Sequence, residues 1–135
     1  MIKVIYGAKG TGKTKMMIEA ANAAVKEAKG HLIYITDSKR GMYDLEREVR
    51  FIDVTEFNVA GEAAFCGFIK GVIAGNHDNE YVFIDGTLRI AGKEVNELGE
   101  FFYMLNSIAE KNGVTITVSV SATKEELPEF IAKYI

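Results

Sequence analysis

The chain has 135 residues, 16 basic against 19 acidic, with a formal net charge of −3 and a pI near 5.4. That length suits one domain spanning residues 1–135 with a core of its own, and that charge balance excludes a general nucleic-acid footprint, so nucleic acid is not indicated as a partner. Cys66 is the one cysteine, which excludes an intrachain disulfide; no apolar run approaches the roughly 18 residues of a membrane span, and Met1–Tyr6 has no signal-peptide layout, so a soluble, cytoplasmic protein without membrane contact is expected.

Ile2 to Tyr6 is an apolar run ending at Gly7, which predicts a buried strand. Lys13 to Ala28 predicts a helix. Its stripe of Met17, Ala20, Ala21, Ala24 and Ala28 lets it lie close to a sheet, and Gly30 is its expected stop. His31 to Thr36 reads as a second strand, followed by polar Asp37-Ser38-Lys39-Arg40-Gly41 and one or two helical turns within 42–49. Phe51 to Val54 predicts a short strand, and Ala63 to Ala74 a helix with Ala64, Phe65, Phe68, Ile69, Val72 and Ile73 on one face. Gly67 and Gly71 on that helix predict close packing. Tyr81 to Ile84 is a strand ending at Asp85-Gly86, and residues 86–93 read as a mobile loop. Glu94 to Lys111 predicts a helix closed by Asn112-Gly113, Val114 to Val120 a β-branched strand, and Leu127 to Tyr134 a short helix with Pro128 in its first turn. Strands that are mostly apolar rather than alternating, and that alternate with helices, predict an α/β fold: a mainly parallel sheet of about five strands, covered on both faces in three α/β/α layers.

The sharpest motif is Gly7-Ala8-Lys9-Gly10-Thr11-Gly12-Lys13-Thr14, which fits G-x-x-x-x-G-K-[ST], the P-loop. Its glycines let backbone N–H groups curl around phosphate oxygens, and the helix that follows turns its free N–H groups to the same anion. Lys13 is expected to reach the β- and γ-phosphates and Thr14 to ligate Mg²⁺. The competing reading is a glycine turn before a helix; the strand ahead and the helix behind favour the phosphate site. The second motif is Tyr81-Val82-Phe83-Ile84-Asp85, an apolar strand ending in an acid, the Walker B pattern. Such an acid stands beside the Mg²⁺ site in P-loop proteins, although Asp-Gly is also an ordinary turn pair. A basic cluster of Lys9, Lys13, Lys15, Lys39 and Arg40 is expected near one end of the fold.

These motifs and the order of elements resemble the RecA-like branch of the P-loop ATPases, and the chain looks like a minimal core of that branch. The resemblance implies an ATP- and Mg²⁺-binding protein in which the strand at 114–120 lies between the strands that carry Gly7 and Asp85. It also implies a catalytic acid on the strand beside Walker B. Asp37 is the candidate here, one methylene shorter than the usual Glu, and a turn-capping role is its equal alternative. Ser119, Ser121 and Thr123 are candidate γ-phosphate sensors, with capping the competing role for Thr123. Gly86 stands where many such ATPases carry a water-polarising Glu, so slow hydrolysis is expected. No arginine of the P-loop region is expected to supply the transition-state charge within the chain. Self-association or a protein partner would then supply an arginine finger, with Arg40 and Arg89 as the residues reaching a neighbour.

Two other functions compete. A non-catalytic nucleotide-binding interaction module is favoured by Gly86. A thymidine-kinase-like small-molecule kinase is disfavoured, because Arg40, Arg47, Arg50 and Arg89 form no lid-like cluster. A GTPase is disfavoured because the chain has no Asn-Lys-x-Asp and carries Leu88 where Gly is required.

Overall fold

The computed structural model describes residues 1–135. Five strands form one sheet: β1 (Ile2–Gly7), β2 (His31–Thr36), β3 (Val49–Asp53), β4 (Asn79–Ile84) and β5 (Thr115–Ser121). Their order is β1-β5-β4-β2-β3, and every pairing is parallel. β5 therefore lies between β1 and β4, the predicted position.

Alternate residues of each strand face opposite sides of the sheet, and both sides are apolar. On one side Leu32, Tyr34, Val49 and Phe83 meet Met17, Ile18 and Ala21 of α1 (Lys13–Val25). On the other, Ile33, Ile35, Val82, Ile84, Ile116 and Val118 meet α2 (Glu62–Ala74), α3 (Thr87–Ala91), α4 (Gly99–Asn112) and α5 (Glu129–Ala132). Phe65 and Phe101 stack across the α2–α4 contact with ring centroids 5.5 Å apart. Burying each such side chain contributes roughly 1.5–3 kcal/mol, so the sheet is held from both sides and all five strand C-termini converge on one rim.

Several local expectations are corrected. Residues 86–93 are not a loop throughout, because they contain α3, which is flanked by left-handed Gly86 (φ 80°) and Gly92 (φ 67°). The helix expected from Glu94 is broken: residues 95–97 form a 3₁₀ turn closed by a Glu94–Glu97 capping box, and α4 starts only at Gly99. The helical turns expected within 42–49 reduce to a 3₁₀ turn at Met42–Asp44, and the expected C-terminal helix to the single turn of α5. Gly30 does not stop α1, which ends at Val25; a side chain there would collide with the Asp78 carbonyl. Gly67 and Gly71 face open space rather than a packed neighbour, and Ala64 is exposed.

Candidate functional site

The loop from β1 to α1 folds back on the Ala8 carbonyl. That oxygen accepts from Thr11 N (3.2 Å), Thr11 Oγ1 (2.6 Å) and Lys13 Nζ (3.0 Å). A side chain at Gly7 would come within 2.6 Å of Thr11 Oγ1, and Gly10 and Gly12 sit at φ 82° and 85° with open space around them. Only glycine permits this path. No side chain caps the start of α1, so its first N–H groups remain available at the loop. Lys13 is 9% exposed. Burial lowers its pKa below the ordinary lysine range; Asp85 counters that shift, and Arg89 adds to it.

Asp85 leaves β4 at the same rim and is 5% exposed. Its Oδ2 accepts from Thr14 Oγ1 (2.8 Å) and Tyr34 OH (3.1 Å); its Oδ1 accepts from Ser119 Oγ (2.5 Å) and Gly86 N (3.0 Å). Four donors thus occupy the carboxylate, which has about four lone-pair positions. Burial, and then the charge of Asp85, push the Tyr34 phenol well above the ordinary tyrosine range, so it stays a donor.

Asp37 follows β2, the neighbour of β4. Arg89 of α3 donates to both its oxygens, Nε to Oδ2 and Nη2 to Oδ1, each at 2.9 Å. Gly86 lies directly beneath this pair. A Cβ there would stand 2.7 Å from both Arg89 Nη2 and Asp37 Oδ1, and its φ of 80° disfavours any side chain. The ion pair fills the space where a residue-86 side chain would project.

These groups line one crevice of about 650 Å³. Lys9, Lys13, Arg40 and Arg89 bring positive charge to its wall, Asp37 and Asp85 negative charge, and Leu88 its one apolar side chain. Ser119 and Ser121 line it, whereas Thr123 caps the turn at Lys124–Glu126 through a capping box with Glu126. Lys15 is outside the lining, and Lys39 turns away to Glu56 (2.7 Å) and Asp53 (3.7 Å). Two expectations change. Arg89, expected to reach a neighbour, lines the chain's own crevice, and Asp37, expected as the catalytic acid, holds that arginine with both oxygens.

Sequence reasoning missed Tyr34 and the cis placement of Arg89. The signal for Tyr34 was a hydroxyl-bearing residue two positions before the end of the strand beside Walker B. The loop fits a phosphate: open left-handed glycines, uncapped N–H groups and a buried ammonium converge on it. A hydroxyl (Thr14) beside a carboxylate (Asp85) fits a hard divalent cation that takes its other ligands from phosphate and water. No protein-family model and no curated protein matches this chain.

Proposed function

We propose that this chain is a small P-loop protein of the RecA-like branch that binds a nucleoside triphosphate, ATP in the first instance, together with Mg²⁺, and acts as a slow ATPase or an ATP-driven switch. The observation that carries this reading is the 2.8 Å hydrogen bond from Thr14 Oγ1 to Asp85 Oδ2. It joins the last residue of the glycine motif to the acid of the second motif, across a sheet in which β5 separates β1 from β4.

On this reading the loop from Gly7 to Thr14 cradles the phosphates with its N–H groups, and Lys13 brings charge to the β- and γ-phosphates. Thr14 and Asp85 would hold Mg²⁺, Asp85 through water. When bound, the ion supplies charge neutralisation along the triphosphate. Tyr34 and Ser119 orient Asp85. No side chain follows Asp85 to polarise water, and Asp37 must first be released from Arg89, so hydrolysis is slow.

The same two features favour a second reading, a non-catalytic module that uses bound nucleotide as a structural ligand. Calorimetry with Mg-ATP tests the binding, and single-turnover hydrolysis separates the two readings. Binding that needs Lys13, with slow turnover, supports the ATPase; binding with no turnover supports the module; no binding overturns both.

A further inference from the structure

We propose that the Asp37–Arg89 pair is a latch that senses the terminal phosphate: Arg89 leaves Asp37 for the γ-phosphate of a bound triphosphate and stays on Asp37 when a diphosphate is bound. This inference rests on the function proposed above and assigns that crevice its own arginine.

Four observations carry it. First, the pair lines the same crevice as Lys13 and Thr14, so the guanidinium already faces the volume that phosphates would enter. Its influence on Lys13 agrees with that proximity. Second, the exchange is like for like. A guanidinium fork fits a carboxylate and a phosphate equally well, and the bidentate geometry is present with two 2.9 Å bonds. Third, Arg89 is free to move. Its side chain is 58% exposed, and it rides on the single turn of α3 between two left-handed glycines, Gly86 and Gly92. Asp37 is 19% exposed and holds the fork with both oxygens, so the exchange needs an anion that takes the fork equally well. Fourth, the pair sits over Gly86 so closely that a Cβ would touch both partners at 2.7 Å. The latch therefore occupies the place next to Asp85 where a residue-86 side chain would project, and its opening exposes a carboxylate there. A triphosphate brings more negative charge than one carboxylate and outcompetes Asp37. A diphosphate lacks the terminal group that the exchange requires. Release of Arg89 leaves both Asp37 oxygens open to accept from water, so the acid becomes available only when the triphosphate is in place.

The chain contains four arginines, Arg40, Arg47, Arg50 and Arg89, so its arginine Nε–H NMR spectrum is simple enough to assign with Arg89→Lys. Asp37→Asn should shift the Arg89 signal in the empty protein. A slowly hydrolysed ATP analogue with Mg²⁺ should shift it in the wild type, and Mg-ADP should leave it in place. In parallel calorimetry, Arg89→Ala should lose about tenfold or more in affinity for the analogue, the value of a charge-assisted hydrogen bond. Its ADP affinity should stay within about twofold, and Arg89→Lys, which keeps the charge and loses the fork, should fall between the wild type and Arg89→Ala. If the analogue binds and the Arg89 signal stays fixed, or ADP shifts it equally, the latch is overturned while nucleotide binding stands. If neither nucleotide binds, the proposed function falls and the latch with it.

Discussion

Replacing Lys13 with methionine should separate stability from ligand binding. In the empty protein the ammonium is nearly buried and rests on one acceptor, the Ala8 carbonyl at 3.0 Å. That carbonyl keeps two donors from Thr11, at 3.2 and 2.6 Å, when the lysine is gone, so no acceptor is orphaned. The lost hydrogen bond is offset by removing a charge whose burial is unfavourable, and methionine retains most of the apolar stem. The net change should be below about 1 kcal/mol, which for a chain of this length is a melting shift of no more than about 3–5 °C. Ligand response should change far more. At a nucleotide concentration 100 times Kd, binding stabilises the folded state by about 2.7 kcal/mol, a rise of roughly 10 °C, and this rise should vanish in the variant. Differential scanning fluorimetry with and without Mg-ATP reads both quantities. A variant that melts more than about 10 °C below the wild type without ligand would make Lys13 a structural residue. An undiminished ATP-induced rise would remove it from the site.

Asp85→Asn replaces one acceptor oxygen by an amide donor, which then faces either the Thr14 and Tyr34 hydroxyls or the Ser119 hydroxyl and Gly86 N–H; it should cost about 1–3 kcal/mol in urea unfolding and weaken nucleotide affinity in Mg²⁺ more than in EDTA. Equal losses in the two media would refute the metal assignment. Gly86→Ala forces a side chain into the left-handed region and against the Asp37–Arg89 pair. A loss of about 1–2 kcal/mol is expected from the backbone alone, with a further steric part that should shrink when Arg89→Ala is added; an unchanged loss would show that the methyl does not meet the arginine. Asp53 accepts from the Thr55 hydroxyl at 2.7 Å and the Thr55 amide at 3.0 Å, with Lys39 at 3.7 Å. Led by the Thr55 hydroxyl, these contacts hold its carboxyl below the usual range. A depressed carboxylate adds stability above its unfolded pKa of about 4 and loses it as pH falls through the folded value. Asp53→Asn should therefore cost about 1 kcal/mol at neutral pH and converge on the wild type as pH falls below the folded value, which flattens the acid limb of a melting-temperature profile; a loss that persists unchanged into acid would refute the coupling.

The sequence disclosed what rests on local pattern. Ile2–Gly7, apart from Lys3, and Tyr81–Ile84 are apolar and read as covered strands, and the glycine motif between a strand and a helix set the loop. The position of β5 was legible through the resemblance rather than through any residue of β5 itself. α3 was hidden because its five residues lie between glycines that read as turn formers. The Arg89–Asp37 pair was hidden for a different reason. Nothing in the local pattern of either residue refers to the other, and they meet only because β2 and β4 are neighbours whose ends share a rim. Tyr34 looked like one more apolar position of β2, since its ring does pack with Phe51 and Phe83 while only its hydroxyl reaches Asp85.

The outermost place of β1 in the sheet has a consequence for how the molecule comes into being. β1 pairs with β5 alone, Ile2 opposite Ile116 and Gly7 opposite Ser121. The glycine loop is thus made long before its strand's partner, because nearly all of the described chain lies between them. The middle strands β2, β3 and β4 can assemble earlier, because their pairings span shorter stretches of chain. Closing the β1–β5 ladder is the longest-range step and the one with the highest loop-closure cost. The β4-β2-β3 part of the sheet can therefore form while the glycine loop still lacks its neighbours, and the crevice is complete only with β5 inserted between β4 and β1.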